Sequence, residues 1–355
     1  MTAKDQIPFY LKTSQILLGL IAFLFIMYIG QGIILPFLFA IITAILLNPV
    51  VDFLQKKKIN RISAIILSIL AALIILSAII YFLSSQIAAF SEEFPKFKGK
   101  FLELYNQTVA WVSQTFRIDK NKILDWVEQT KDTGLSNSKS LIGPLAGTVG
   151  GLLLLIIILP VYIFLILLYK PLFIEFIKKL FPKDKYKSVA EIINQSKSLI
   201  QSYLLGLMIE TGIIAFLNSA ALLALGVESA ILVGVIGALL NLIPYIGGVI
   251  ATGLAMIMAI TSQPPIYALW VFIIYILIQF ADNHFIVPKI VASKVNINAL
   301  ISIIVVLIGG AIWGIPGMFL SIPLTAIVKI IFDRIESLEP IGFLLGNNIP
   351  SADKK

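Results

Sequence analysis

The chain contains no cysteine, so it can form no disulfide and offers no thiol for catalysis or metal binding. Histidine is almost as scarce: His284 is the only one, which excludes a histidine-built zinc centre. No HExxH, GxSxG or Walker A sequence occurs. The metalloprotease, serine-hydrolase and ATP-driven classes therefore drop out, and neither enzymatic chemistry nor a cofactor is expected. Charge is the other scarcity. Only 13% of the 355 residues are charged, where soluble domains carry about 25%. The space is filled by apolar side chains, which make up 59% of the sequence.

The few charges cluster, leaving uncharged stretches at 13–51, 62–91, 140–169, 229–281 and 295–328. A helix needs roughly 20 apolar residues to cross the hydrocarbon layer, so each stretch can span at least once. The expected class is an all-α polytopic membrane protein embedded in the lipid bilayer. A net charge of +8 suggests nucleic acid only if position is ignored. Lys56, Lys57, Lys58, Arg61 and the Lys170–Lys187 group lie directly beside apolar segments, which marks the cytoplasmic ends of spans. No nucleic-acid partner is expected. A bacterial inner-membrane location with both termini cytoplasmic is.

Residues 1–90 read as N-terminal transmembrane helices. A break at Gly30-Gln31-Gly32 makes 13–51 a tight helical hairpin, with Pro36 in the first turn of its second helix, and a third span covers about 62–86. Residues 91–140 mix eight basic and seven acidic residues with Phe94, Phe97, Phe101, Leu104 and Trp111 at helical spacing. They read as an extracytoplasmic helical insert. Residues 141–200 supply a fourth span and a basic, amphipathic cytoplasmic segment, and 201–335 form a transport core. Residues 336–355 are left as a cytoplasmic tail.

The core carries two interruptions. Asn241-Leu242-Ile243-Pro244-Tyr245-Ile246-Gly247-Gly248 breaks 229–281, and the run Gly309 to Gly317, containing Gly310, Gly314 and Pro316, breaks 295–328. Proline removes an amide donor and glycine weakens a helix, so both helices should stop there. If each stretch crossed fully, Lys289 and Lys294 would lie outside; if each is a re-entrant hairpin, all the short-loop basic clusters fall inside. Charge placement favours the hairpins. The expectation is about six full transmembrane helices plus two re-entrant helical hairpins, eight membrane elements in all. Residues 201–260 and 266–330 then form an inverted repeat. Broken helices meeting near the midplane are the usual solute-binding device of secondary transporters, because freed backbone groups must line a cavity or be buried.

Two further polar positions stand out. Glu210 lies among apolar residues in the middle of a fifth span, about 201–226, where a carboxylate costs at least about 2.5 kcal/mol. Tyr275, Gln279 and Asp282 form one polar helical stripe, followed by Asn283. Asp282 is the best single candidate to meet a cation or solute hydroxyls. A structural hydrogen bond between helices for Glu210, and plain hydration for Asp282, are the competing readings.

The core resembles the AI-2E family of membrane permeases, the autoinducer-2 exporter-like proteins. The resemblance rests on Asn241 to Gly248, on Asp282-Asn283 followed by Pro288-Lys289-Ile290, on the Gly309 to Gly317 run and on Ser321-Ile322-Pro323-Leu324. Ala292 departs from the glycine expected after the Pro-Lys-Ile step. The resemblance implies a homo-oligomer, an elevator-like movement and export of a small polar, AI-2-like solute. Sodium/proton exchange is the alternative it carries, and a membrane scaffold without transport is the second alternative.

Overall fold

The computed structural model describes residues 8–117, 119, 149–244, 246–291 and 296–347. The C-terminal half of the 91–140 insert, Tyr245, Ala292 and the end of the tail therefore lie outside the described residues. Those described are helical, with no strand among them. Six helical stretches are long and apolar enough to cross a membrane: Gln31–Lys56, Arg61–Glu92, Ile157–Lys179, Lys183–Ala224, Ile266–Ile290 and Ala299–Phe332. Thr13–Ile29, Ala230–Asn241 and Ile246–Ser262 are apolar but shorter. The number agrees with the sequence reading, but the membership differs. The first helix is not among the six, while the interrupted Ala299–Phe332 is.

Helices α1 (Phe9–Ile29) and α2 (Gln31–Lys56) are joined by Gly30 alone, whose φ of −77° and ψ of 4° stay near helical values. A single near-helical residue takes the place of the turn expected of a tight hairpin. Helix α3 (Arg61–Phe116) begins on an Asn60 cap, whose side chain accepts from the Ser63 amide at 2.7 Å. Its 56 residues make about 84 Å of helix, nearly three times the hydrocarbon thickness. The span and the first half of the insert are thus one continuous rod. The sequence boundary at 90/91 marks a change of surroundings, not of backbone, because Ser91, Glu92 and Glu93 are all compatible with a helix.

Helix α4 (Val149–Lys179) and helix α5 (Tyr186–Ala224) are separated by Pro182 and a single 3-10 turn, Lys183–Lys185. The basic segment is therefore the adjoining ends of two long helices, not a separate surface helix. Polar contacts fasten this end. Asn48 donates to Asp52 at 2.7 Å and accepts from Lys170 at 2.7 Å, while Arg61 donates to the Leu167 carbonyl at 2.7 Å. Ala40, Ala44, Ala64, Ile65 and Ile163 close the apolar contact among α2, α3 and α4.

The remaining elements are α6 (Ala230–Asn241), α7 (Ile246–Ser262), α8 (Ile266–Ala281), a π-helical turn at Asp282–Ile286, α9 (Val287–Ile290), α10 (Ala299–Phe332) and α11 (Glu339–Leu345). Between α6 and α7 the chain reverses. A β-carbon at Gly247 would overlap the Leu240 carbonyl, and one at Gly237 would meet the Ala251 methyl at 3.3 Å. The far ends of the pair are also together, since Gln263 Nε2 donates to the Gly226 carbonyl at 2.6 Å.

Helix α10 reverses as well. Gly314 has φ 63° and ψ −145°, a conformation reserved for glycine. It divides the helix into arms 299–313 and 315–332. Gly309 faces the Gly317 carbonyl, and a β-carbon on it would lie 3.1 Å from the Ser321 side chain. Twelve residues of straight helix would hold those two positions about 18 Å apart. Both far ends meet α11: Asn298 Nδ2 donates to the Leu344 carbonyl at 2.7 Å, and Gly342 abuts Asp333.

Candidate functional site

The first reversal carries Asn241 into a buried polar cluster. Its amide donates to Asp282 Oδ2 at 3.0 Å and to Glu210 Oε1 at 3.5 Å, and its carbonyl oxygen accepts from Gln279 Nε2 at 3.1 Å. Three elements thus converge: the tip of α6, the middle of α5 and the end of α8. Glu210 is 6% exposed and Asp282 2%. Both carboxyls sit inside helices long and apolar enough to span a bilayer, where such groups are rare and mark solute or ion paths.

The local backbone explains how these groups are delivered. Asn241 ends α6 because Pro244 cannot continue the helical hydrogen bonding, and Leu242 and Ile243 fold into a turn. Gly248 opens α7 beside the Gln279 carboxamide, and a β-carbon there would come within 2.9 Å of it. Asp282 begins the π-helical turn, which the Pro288 ring makes necessary by crowding the carbonyl four residues before it. Gly206 lets α5 approach the Ile290 carbonyl, where a β-carbon would lie at 2.6 Å.

The polar track extends further than the sequence reading placed it. Tyr275 is 1% exposed and Asn218 2%. Asn218 Nδ2 and the Tyr275 hydroxyl flank Gly237, at 3.3 and 4.0 Å from the position of a β-carbon there. Asn218 Oδ1, the Ser219 and Tyr275 hydroxyls and Asp282 Oδ1 are buried without a protein hydrogen-bond partner. Buried polar atoms in such a setting are normally satisfied, so this seam has capacity for water or a solute. Asn218 was legible as an amide two turns beyond Glu210 in an apolar helix, and sequence reading passed over it.

Of the residues singled out, the structure joins Glu210, Asn241, Gln279 and Asp282 directly and sets Pro244, Gly247 and Gly248 at the same tip. Asn283 turns to the surface beside exposed His284, so the stripe ends at Asp282. Gly309, Gly310, Gly314 and Pro316 belong to the second reversal, and none of them hydrogen-bonds to the Asn241 cluster through a described side chain. That tip instead docks on α1, where Trp313 Nε1 donates to the Met27 carbonyl at 2.9 Å. The two tips share one apolar cluster, in which Leu242, Trp313 and Met318 pack around Tyr203, Leu207, Val306 and Leu320. Among the described residues, no group of acidic, histidine or cysteine side chains is arranged to hold a metal.

Two carboxyls buried against the tip of a broken helix, within a bundle this apolar, are features of membrane transport proteins. The chain belongs to the AI-2E transporter family, whose sequence profile matches residues 17–337. It is 25% identical to YueF of Bacillus subtilis over 325 residues, covering 88% of this chain and 87% of that one. It is 24% identical to the AI-2 transport protein TqsA of Escherichia coli over 323 residues, covering 89% and 90%. YhhT of Escherichia coli is 24% identical over 339 residues, 95% of this chain and 94% of the other.

Proposed function

We propose that this transporter is a secondary exporter of a small polar, AI-2-like solute, working by an elevator-like alternation of the helical pairs 230–262 and 299–332. The observation that carries the reading is Asn241, a tip residue that links two buried carboxyls on two other helices. Arm lengths support re-entrance. Helices α6 and α7 have 12 and 17 residues, about 18 and 26 Å, and fall short of a 30 Å hydrocarbon layer. The pair 230–262 then enters from one face and 299–332 from the other, with the 25-residue stretch Ile266–Ile290, α8 continued through the π-helical turn into α9, as the full crossing between them, giving an inverted repeat. The basic ends of α4 and α5 and both termini lie on the cytoplasmic side of the inner membrane, and the protein works as a homo-oligomer.

The solute site comprises Glu210, Asn241, Gln279 and Asp282 with the backbone at Pro244, Tyr245, Gly247 and Gly248. Gly309, Gly310, Gly314 and Pro316 close it from the second tip. Reconstituted protein tests this. Proteoliposomes should move AI-2, and Asp282→Asn should lower its flux at least tenfold. A sodium gradient that drives proton movement, abolished by Asp282→Asn, would favour the exchanger instead. AI-2 flux unchanged in the variant would remove Asp282 from the site.

A further inference from the structure

A cavity of about 360 Å³ opens far along the chain from the Asn241 tip, between the first turns of α5 and the last turns of the second arm of α10. Small-molecule sites typically occupy about 300–1,000 Å³. Gln195, Ser198 and Leu199 line it from α5, Ala326, Lys329 and Ile330 from the arm, Asp333 from the cap of that arm, and Asn296 from the preceding loop. The spacings of three and four residues put each set on one face of its helix, so two helix faces confront each other across the space.

Lys329 is the unexpected member. It is 9% exposed, on an arm otherwise built of Ile327, Val328, Ile330 and Ile331. A buried ammonium is costly unless paired, and an apolar side chain would fill the same position without that cost. Asp333 pairs with it, Nζ to Oδ2 at 2.5 Å. An ammonium has three donors, and this contact uses one. The pair leaves the lining with no net charge, and the exposed Gln195, Ser198 and Asn296 add donors and acceptors beside the apolar Leu199, Ala326 and Ile330. A lining of that kind disfavours an anion and a cation alike and suits an uncharged molecule with several hydroxyl groups.

The cavity also joins the elements that an elevator movement would separate. One turn from Gln195 on α5 and next to Asp333 on the arm, Glu191 and Arg334 form an ion pair at 2.8 Å. A solute held here bridges α5 and the second arm, whose other end is the Gly314 reversal.

We infer that this cavity is a second solute site, binding an uncharged, hydroxyl-bearing molecule between Lys329–Asp333 and the amides of Gln195 and Asn296. It rests on the transporter reading and names the class of solute. The native absence of cysteine makes the test clean. The full chain carrying Ser198→Cys is placed in nanodiscs and labelled with an uncharged maleimide, with ribitol as the neutral probe and ribose 5-phosphate as the charged one. Ribitol should slow labelling at least fivefold and ribose 5-phosphate less than twofold. Asn106→Cys, exposed on the outer part of α3, should be indifferent to both. Lys329→Met with Asp333→Met should abolish protection by ribitol while the protein remains monodisperse. Asn241→Ala should keep it, so failure at the tip is distinguishable from failure here. Undiminished labelling in ribitol, stronger protection by the phosphate, or protection that survives the double substitution would overturn the inference.

Discussion

Asn241 Nδ2 donates to Asp282 Oδ2 at 3.0 Å, joining the tip of a twelve-residue helix to a carboxyl 41 positions further along the chain. This contact brings together a backbone interruption and a buried acid that are separate features in the sequence. Because the other carboxyl oxygen of Asp282 is without a protein partner, Asn241 is its only side-chain hydrogen bond among the described residues.

Replacing Asn241 by alanine strands that carboxyl. An unsatisfied buried polar group costs about 1–3 kcal/mol. Asn241→Ala is expected to insert normally, lower the unfolding midpoint in detergent and reduce solute flux at least tenfold. Wild-type flux from the variant would show that the tip contact is structural only.

Gly247 and Gly253 lie on the same helix and should respond oppositely to alanine. At Gly247 the new methyl would overlap the Leu240 carbonyl, whereas at Gly253 it would meet open space. Overpacking costs about 1–3 kcal/mol, while glycine to alanine inside an unobstructed helix gains about 0.5–1 kcal/mol. Thermal unfolding should therefore place Gly247→Ala below the parent protein and Gly253→Ala at or above it. Equal midpoints would argue against the reversal between α6 and α7.

Trp313→Phe removes the hydrogen bond to the Met27 carbonyl but keeps an aromatic ring at the second tip. The loss is about 0.5–1.5 kcal/mol. Hydrogen exchange should quicken in the last turns of α1 and stay unchanged in α6 and α7. Uniform quickening would mean that the tip is not what holds α1.

Much of this architecture was readable from the chain, for identifiable reasons. Pro244 and Gly314 interrupt helices by local chemistry, a missing amide and a positive φ, whereas Pro36, Pro49, Pro95, Pro160 and Pro171 sit inside helices that continue. Glu210 and Asp282 stood out because carboxyls are expensive in apolar helices. That both should converge on Asn241 depends on which helix faces meet, set by the close approach of α6 to α5 at Gly234 and of α5 to the Ile290 carbonyl at Gly206, and single-helix periodicity does not carry that. The continuous α3 was hidden by its composition: charges begin at Glu92, and composition registers the change of solvent while the backbone continues unbroken. The Lys329–Asp333 cavity was missed because the pair sits at the end of an apolar stretch, where two charges read as a helix terminus at the membrane surface.

The most direct test concerns where the two reversing pairs enter the membrane. Single cysteines at Glu228, Gln263, Asn296 and Glu336 flank the two pairs, and an impermeant maleimide can be applied from either face of sealed vesicles. Glu228→Cys and Gln263→Cys should label from one face, and Asn296→Cys and Glu336→Cys from the opposite one. Labelling of all four from a single face, or of the two flanks of either pair from different faces, would contradict the opposed hairpins on which the transport mechanism stands.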